Sequence, residues 1–410
     1  MSRSIGSKLQ VSLTTISSIN SILSQDVKTS IDQFTSDLQL VSASGQPTEE
    51  TAYIIRKAIR AFVGQVDGVS FAMRHAVLAS ADEVGLSLTV KERAKLSERK
   101  YDKATDSISE NRALLNTPDS LKLALRYFPQ LFGSTYALDT SGVAWRSLIR
   151  LVDVRNGFSH PRTLDAFSPI NALYILRPTF LWFFYQMQLL YADSAPRIGV
   201  SVSAVEPMDD PFAEYDEAAH PWFEAFSEED YKSIAANASQ SLELAKRMLA
   251  VVHAESHRAI GELNQKDCSV LTPRGQTEAR NAVRTLFSTV EAVLYTAERF
   301  IEAAETRGAS KLNDADRGRI KENEIEDRFA ASLEIWSREF GNGHRLKTSG
   351  EGWKNFRGAR FLRNRLTHPK EAAALHIGVP ELNLVLAALT YYKDAHDLLT
   401  LDPEKWAALP

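Results

Sequence analysis

The stretch Arg155-Asn156-Gly157-Phe158-Ser159-His160-Pro161 occurs a second time, as Arg363-Asn364-Arg365-Leu366-Thr367-His368-Pro369. Both copies read Arg-Asn-x-x-x-His-Pro. They stand 208 positions apart, about half of the 410-residue chain. One copy alone says little, because Arg and His near a helix C-terminus are favoured by the helix dipole. Two copies in matched surroundings indicate an internal repeat. At the same offset Trp145 falls on Trp353, Leu148 on Phe356, Val154 on Leu362 and Phe158 on Leu366. Further upstream Leu125 falls on Leu333, Phe128 on Trp336, Phe132 on Phe340 and Gly133 on Gly341. A third block needs an offset of 224, which places Arg60 on Arg284, Val66 on Val290 and Asp67 on Glu291. The 16-residue difference puts an insertion in the first copy, between about residues 80 and 120.

Periodicity is helical nearly throughout, and no alternation typical of strands stands out, so the expected class is all-α. Leu9, Leu13, Ile16, Ile19, Leu23, Val27, Ile31, Phe34 and Leu38 form one apolar stripe, ended by Gly45-Gln46-Pro47. A second helix runs from Thr48 to about Ser80. Thr89-x-x-Glu92 is a capping box that opens a charged helix, expected to project from the bundle. Helices follow Thr117-Pro118, span about 141–159 and span about 170–192. Between Glu206 and Asp230 stand ten acidic residues and no Lys or Arg, with three prolines. That segment reads as a solvated connector, with mimicry of a nucleic acid as the sharper alternative. Helix resumes at Ser227-x-x-Asp230. Thr272-Pro273 caps the helix carrying Arg284 and Glu291, Asn313 opens another that ends at Gly341, and two more span about 350–367 and 381–399. The expected organisation is a helical domain over 1–192, a linker over 193–226 and a second helical domain over 227–410.

Hydrophobic content of 44% and charged content of 24% are ordinary for a globular protein. The lone Cys268 allows no internal disulfide, which fits a reducing, cytoplasmic compartment and excludes a cysteine-based zinc site. The apolar run Phe180–Tyr191 is too short to span a bilayer. A net charge of −4 gives no global basic field. There is no Gly-rich phosphate loop, Gly-x-Ser-x-Gly or His-Glu-x-x-His. His253 and His257 have ligand spacing on a helix but no carboxylate on their face. No metal and no cofactor are expected.

In each motif helix the apolar stripe (Leu148, Leu151, Val154, Phe158; Phe356, Ala359, Leu362, Leu366) leaves Arg155 and Arg363 on its rim. Asn156 and His160 are four apart and share a face. The following Pro disfavours αR at the His, so His160 and His368 are expected at helix C-termini, where the dipole favours imidazolium.

The duplicated motif resembles that of the HEPN superfamily, small helical bundles whose active members carry Arg-x4-6-His, commonly with a polar residue after the Arg. The resemblance implies two antiparallel bundles packed as an intramolecular pair, or failing that a homodimer. It also implies a metal-independent endoribonuclease site shared between them, in a toxin or an antiviral (abortive infection) system. An antitoxin or activating protein is then an expected partner, alongside RNA. Arg155, His160, Arg363 and His368 are the implied catalytic residues. One imidazole takes the proton of a ribose 2′-OH, another protonates the leaving 5′-oxygen, and guanidinium stabilises the phosphate. Asn156 and Asn364 would orient the His or the phosphate. Asp67 and Glu291 either hold the motif Arg or pair with Arg60 and Arg284 as surface neighbours.

From Arg345 to Lys370 there are eight Lys or Arg and one acid, Glu351. Lys354, Arg357, Arg360 and Arg365 are therefore candidates to track an RNA backbone, against the plainer reading of a solvated face. Trp145 and Trp353 lie on the apolar stripes and are expected in the core. An idle pair of such domains, binding RNA or protein without cutting, is the competing reading.

Overall fold

The computed structural model describes residues 3–41, 49–159, 172–213, 272–306, 312–320, 325–341, 343 and 345–397. His160, His253, His257, Cys268 and most of the acidic connector lie outside the described residues. Among the described residues are eleven α-helices and one small hairpin. The first half carries α1 (Arg3–Val41), α2 (Glu49–Ser80), α3 (Val90–Leu96), α4 (Thr117–Tyr127), α5 (Val143–Ser159) and α6 (Leu173–Ser194). The second carries α7 (Pro273–Thr306), α8 (Asp314–Arg319), α9 (Ile325–Glu339), α10 (Glu351–Thr367) and α11 (Val379–Asp397). No described helix is long and apolar enough to cross a membrane.

Start and stop signals act where elementary capping chemistry puts them. Thr272 accepts the Gly275 N–H at 3.0 Å ahead of α7, and Asn313 accepts the Asp316 N–H at 2.8 Å ahead of α8. The helix after Thr117 tightens into a 3-10 turn and stops at Gly133, whose φ of 67° suits glycine. The segment expected as one helix from Asn313 to Gly341 is described as two, α8 and α9.

The insertion departs from expectation. Its capping box is present, with Glu92 N–H on Thr89 Oγ1 at 3.2 Å and Thr89 N–H on Glu92 Oε2 at 2.8 Å. The helix that it opens has only seven residues, and an antiparallel hairpin follows, β1 (Arg99–Asp102) and β2 (Ser107–Arg112). An Asx turn makes the reversal: Asp102 Oδ1 accepts the Ala104 N–H at 2.9 Å. The strands are exposed on both faces apart from half-buried Tyr101 and Ser109, so no apolar alternation marked them in the sequence. Nor does α3 stand off from the bundle. Arg74 of α2 donates to Leu96 O at 2.8 Å and Glu98 at 2.7 Å, and Tyr127 of α4 donates to Glu92.

The first two helices run antiparallel: Lys8 meets Glu83, Asn20 meets Gln65, and Leu23 lies against Gly68. Helix α7 crosses both. Its Arg280 and Arg284 converge on Asp26 of α1, a fully buried carboxylate, at 2.6 and 2.8 Å. Asn281 adds a hydrogen bond to Ser30 at 3.1 Å. On α2, Arg60 Nε donates to Ser288 Oγ of α7 at 3.0 Å, while Gly64 lies against the Arg284 side chain. Helices α5 and α10 each touch both α2 and α7. One apolar cluster runs from Leu9 in α1 to Ala395 in α11. Trp145 and Trp353 belong to it, as expected.

Removing one member of a buried ion cluster strands the others without their counter-charge. Replacing Asp26 by Ala is therefore expected to lower the unfolding free energy by about 3–5 kcal/mol, read from denaturant titration. A loss within about 0.5 kcal/mol, the scatter of ordinary surface substitutions, contradicts this placement.

Candidate active site

The motif helices turn their predicted stripes to the core: Leu148, Leu151 and Phe158 are buried in α5 with Val154 half-buried, and Trp353, Phe356, Ala359, Leu362 and Leu366 are buried in α10. Each motif Arg follows the last-but-one apolar position and emerges on the rim, with its side chain about a quarter exposed (26% for Arg155, 28% for Arg363). Arg155 Nη2 donates to Asp67 Oδ2 at 3.0 Å and to Thr117 Oγ1 at 3.4 Å. Arg363 Nη2 donates to Glu291 Oε1 at 3.0 Å, and its Nη1 to Asn364 Oδ1 at 3.2 Å. Asp67 and Glu291 thus meet the motif Arg. Arg60 and Arg284 are not surface neighbours of these carboxylates; both are buried in the α2–α7 crossing. Pairs this exposed contribute more to orientation than to stability.

A cleft of about 330 Å³ opens where these elements meet. Its lining includes Arg155, Asn156 and Asp67 from the first half and Glu291, Arg363 and His368 from the second. Arg60, Arg74, Glu98, Thr117, Ser159, Arg284 and Ser288 also contribute. Ser159 and Ser288 hydroxyls are 3.0 Å apart across the floor.

His368 caps α10, with φ −123° and ψ 60°, and its N–H reaches Asn364 O at 2.9 Å. Pro369 behind it is buried against Gly68 of α2, where a methyl group would stand 3.3 Å from the Pro ring. The imidazole lies 4.9 Å from the Phe71 ring, tilted by 49°. His368 as a residue remains exposed to solvent. The surrounding protein removes enough water to push its pKa below the ordinary value. The cations Arg363 and Arg74 push the same way, while Asp67 and Glu98 oppose. The expected stabilisation of imidazolium by the helix dipole is outweighed here, because desolvation disfavours any charged ring.

The basic cluster of α10 divides. None of Lys354, Arg357, Arg360 and Arg365 lines the cleft. Arg360 is ion-paired with Glu326, and Arg365 donates to His376 O at 2.7 Å and meets Glu381 at 3.4 Å. Lys354 and Arg357 are exposed. Among the described residues no cluster suits a metal ion.

Phe71, Arg74, Glu98, Thr117, Ser159 and Ser288 are not among the site residues expected from the sequence. Phe71 and Arg74 follow Asp67 by four and seven positions, so they share its helix face, a signal that was available. Glu98 arrives through the insertion, which has no counterpart at the repeat offset and so left none. No family model matches the chain, and no curated protein or solved structure is significantly similar to it.

The imidazole of His368 is expected to titrate below 6.5, followed by its ring-proton NMR resonance and assigned with a His368→Gln variant. Asp67→Asn removes a charge that favours imidazolium and lowers the midpoint further. A midpoint above 6.5 contradicts the account.

Proposed function

We propose that the chain is a metal-independent endoribonuclease of the HEPN type, with one active site assembled from two copies of a duplicated helical domain. The observation that carries this reading is the cleft, lined by the Arg of both motifs, by the acidic partner of each, and by His368. The crossing of α2 and α7 supports the duplication. Arg60 reaches Ser288 while Arg284 lies against Gly64, and these are two equivalent pairs at the 224-residue offset. Such reciprocity is the pattern of an isologous interface.

The cleft lining carries five Arg against three carboxylates, in a chain of net charge −4. That local excess suits a phosphodiester. Neutral His368 accepts the proton of the ribose 2′-OH. The 2′-oxygen attacks phosphorus and the P–O5′ bond breaks. The leaving 5′-oxygen takes a proton from a second, protonated imidazole, the role assigned to His160. Carboxylate pairing occupies Nη2 on Arg155 and Nη2 on Arg363, so each guanidinium keeps N–H donors for the non-bridging oxygens. Asn156 at the cleft and Asn364 beside Arg363 orient these groups. The products are a 2′,3′-cyclic phosphate and a 5′-hydroxyl. A toxin or abortive-infection role, held in check or triggered by a protein partner, follows from the family resemblance.

The engagement of each motif Arg by a carboxylate also favours a second reading, an idle pair that binds RNA or protein without cutting. A mixed RNA pool incubated with the purified protein in EDTA separates the two. Cyclic-phosphate ends are expected with the wild type. His160→Ala and His368→Ala each reduce the rate by about 10²–10⁴, the usual worth of a general acid or base. Intact RNA supports the idle module, and cutting that survives both substitutions contradicts the assigned site.

A further inference from the structure

Helix α10 buries Trp353, Phe356, Ala359, Leu362 and Leu366 on one side. At 100° per residue the opposite side carries Lys354, Arg357, Phe361 and, at its end, His368, all within about 40° of one line. Lys354 and Arg357 are exposed and form no ion pair with a described residue, unlike Arg360 and Arg365. Phe361 is 64% exposed, the most exposed aromatic side chain among the large exposed hydrophobics of the described residues. A phenyl ring on a solvated, basic helix face contributes nothing to the core. The stripe steps along α10 by about 1.5 Å per residue, so it leads from Lys354 through the ring to the cleft over roughly 20 Å.

We propose that this stripe is a track for single-stranded RNA, which delivers the strand to His368. Lys354 and Arg357 take backbone phosphates, and one base stacks on Phe361. The inference rests on the ribonuclease reading of the cleft. A single strand is specified because a base can reach an exposed ring only when it is unpaired. Continuity with the cleft and the charge of the face select RNA over a protein partner.

The test uses the full chain with His368→Ala to prevent cutting, a fluorescein-labelled mixed-sequence RNA 20-mer, and the same RNA as a duplex, over a range of salt. The single strand is expected to bind more tightly than the duplex. Phe361→Ala is expected to weaken single-strand binding by about five- to a hundredfold, the range for one base–aromatic stack, with an unchanged salt slope. Phe361→Trp restores it. Replacing Lys354 and Arg357 by Ala lowers the slope of log K against log salt by about 1.4, two single-strand phosphate contacts. Thermal melting followed by circular dichroism confirms that each variant is folded. Binding unaffected by Phe361→Ala, or a preference for duplex, overturns the track and leaves the cleft reading standing. RNA bound by no variant, with no cleavage by the wild type, overturns both.

Discussion

Asp26 is fully buried, and two guanidinium groups of α7 close on its carboxylate at 2.6 and 2.8 Å. A charge so far from water is tolerable only with its partners in place. The cluster therefore fixes where α7 lies across α1 and α2. That crossing in turn sets the small residues Gly64 and Ser288 at the contact, opposite Arg284 and Arg60. Because α5 and α10 each rest on both α2 and α7, the crossing also sets where their C-terminal ends emerge. The cleft exists because these two ends emerge side by side. A shift of α7 would part Arg363 and Glu291 from Arg155 and Asp67.

The halves are not equivalent at the cleft. At the 224-residue offset Arg74 corresponds to Glu298, which is turned to Arg328 at 2.9 Å. Arg74 instead holds the inserted segment, through Leu96 O and Glu98, beside His368. The imidazole of the second motif thus sits in surroundings built by the first half: Phe71, Asp67, Arg74 and Glu98. On the proposed mechanism this is useful. A ring with a lowered pKa is neutral near pH 7 and suits the proposed role of base.

Much of the architecture was legible because helical periodicity and caps are local signals. The stripes of α5 and α10, the caps at Thr89, Thr272 and Asn313, and the core positions of Trp145 and Trp353 all follow from neighbours in the chain. The hairpin was not legible, since its strands bury no face and show no period of two. The pairing of Asp67 with Arg155 rather than Arg60 was open for another reason. Residues seven apart on one helix, and residues 88 apart on two, look equally plausible until the helices are placed. The basic run of α10 divided on the same ground: Glu326 and Glu381, which bind Arg360 and Arg365, are remote in sequence. Glu98 depends on an insertion whose fold is itself non-repeating.

The central claim is that both motifs serve one site. Cleavage rates of Arg155→Ala, Arg363→Ala and the double variant, measured under single-turnover conditions, test it most directly. A shared site predicts that either substitution alone removes nearly all activity and that the double variant is little worse, the non-additivity of groups acting as a unit. Two single variants that each keep about half of the rate, with only the double variant inactive, would mean two independent sites and contradict the account.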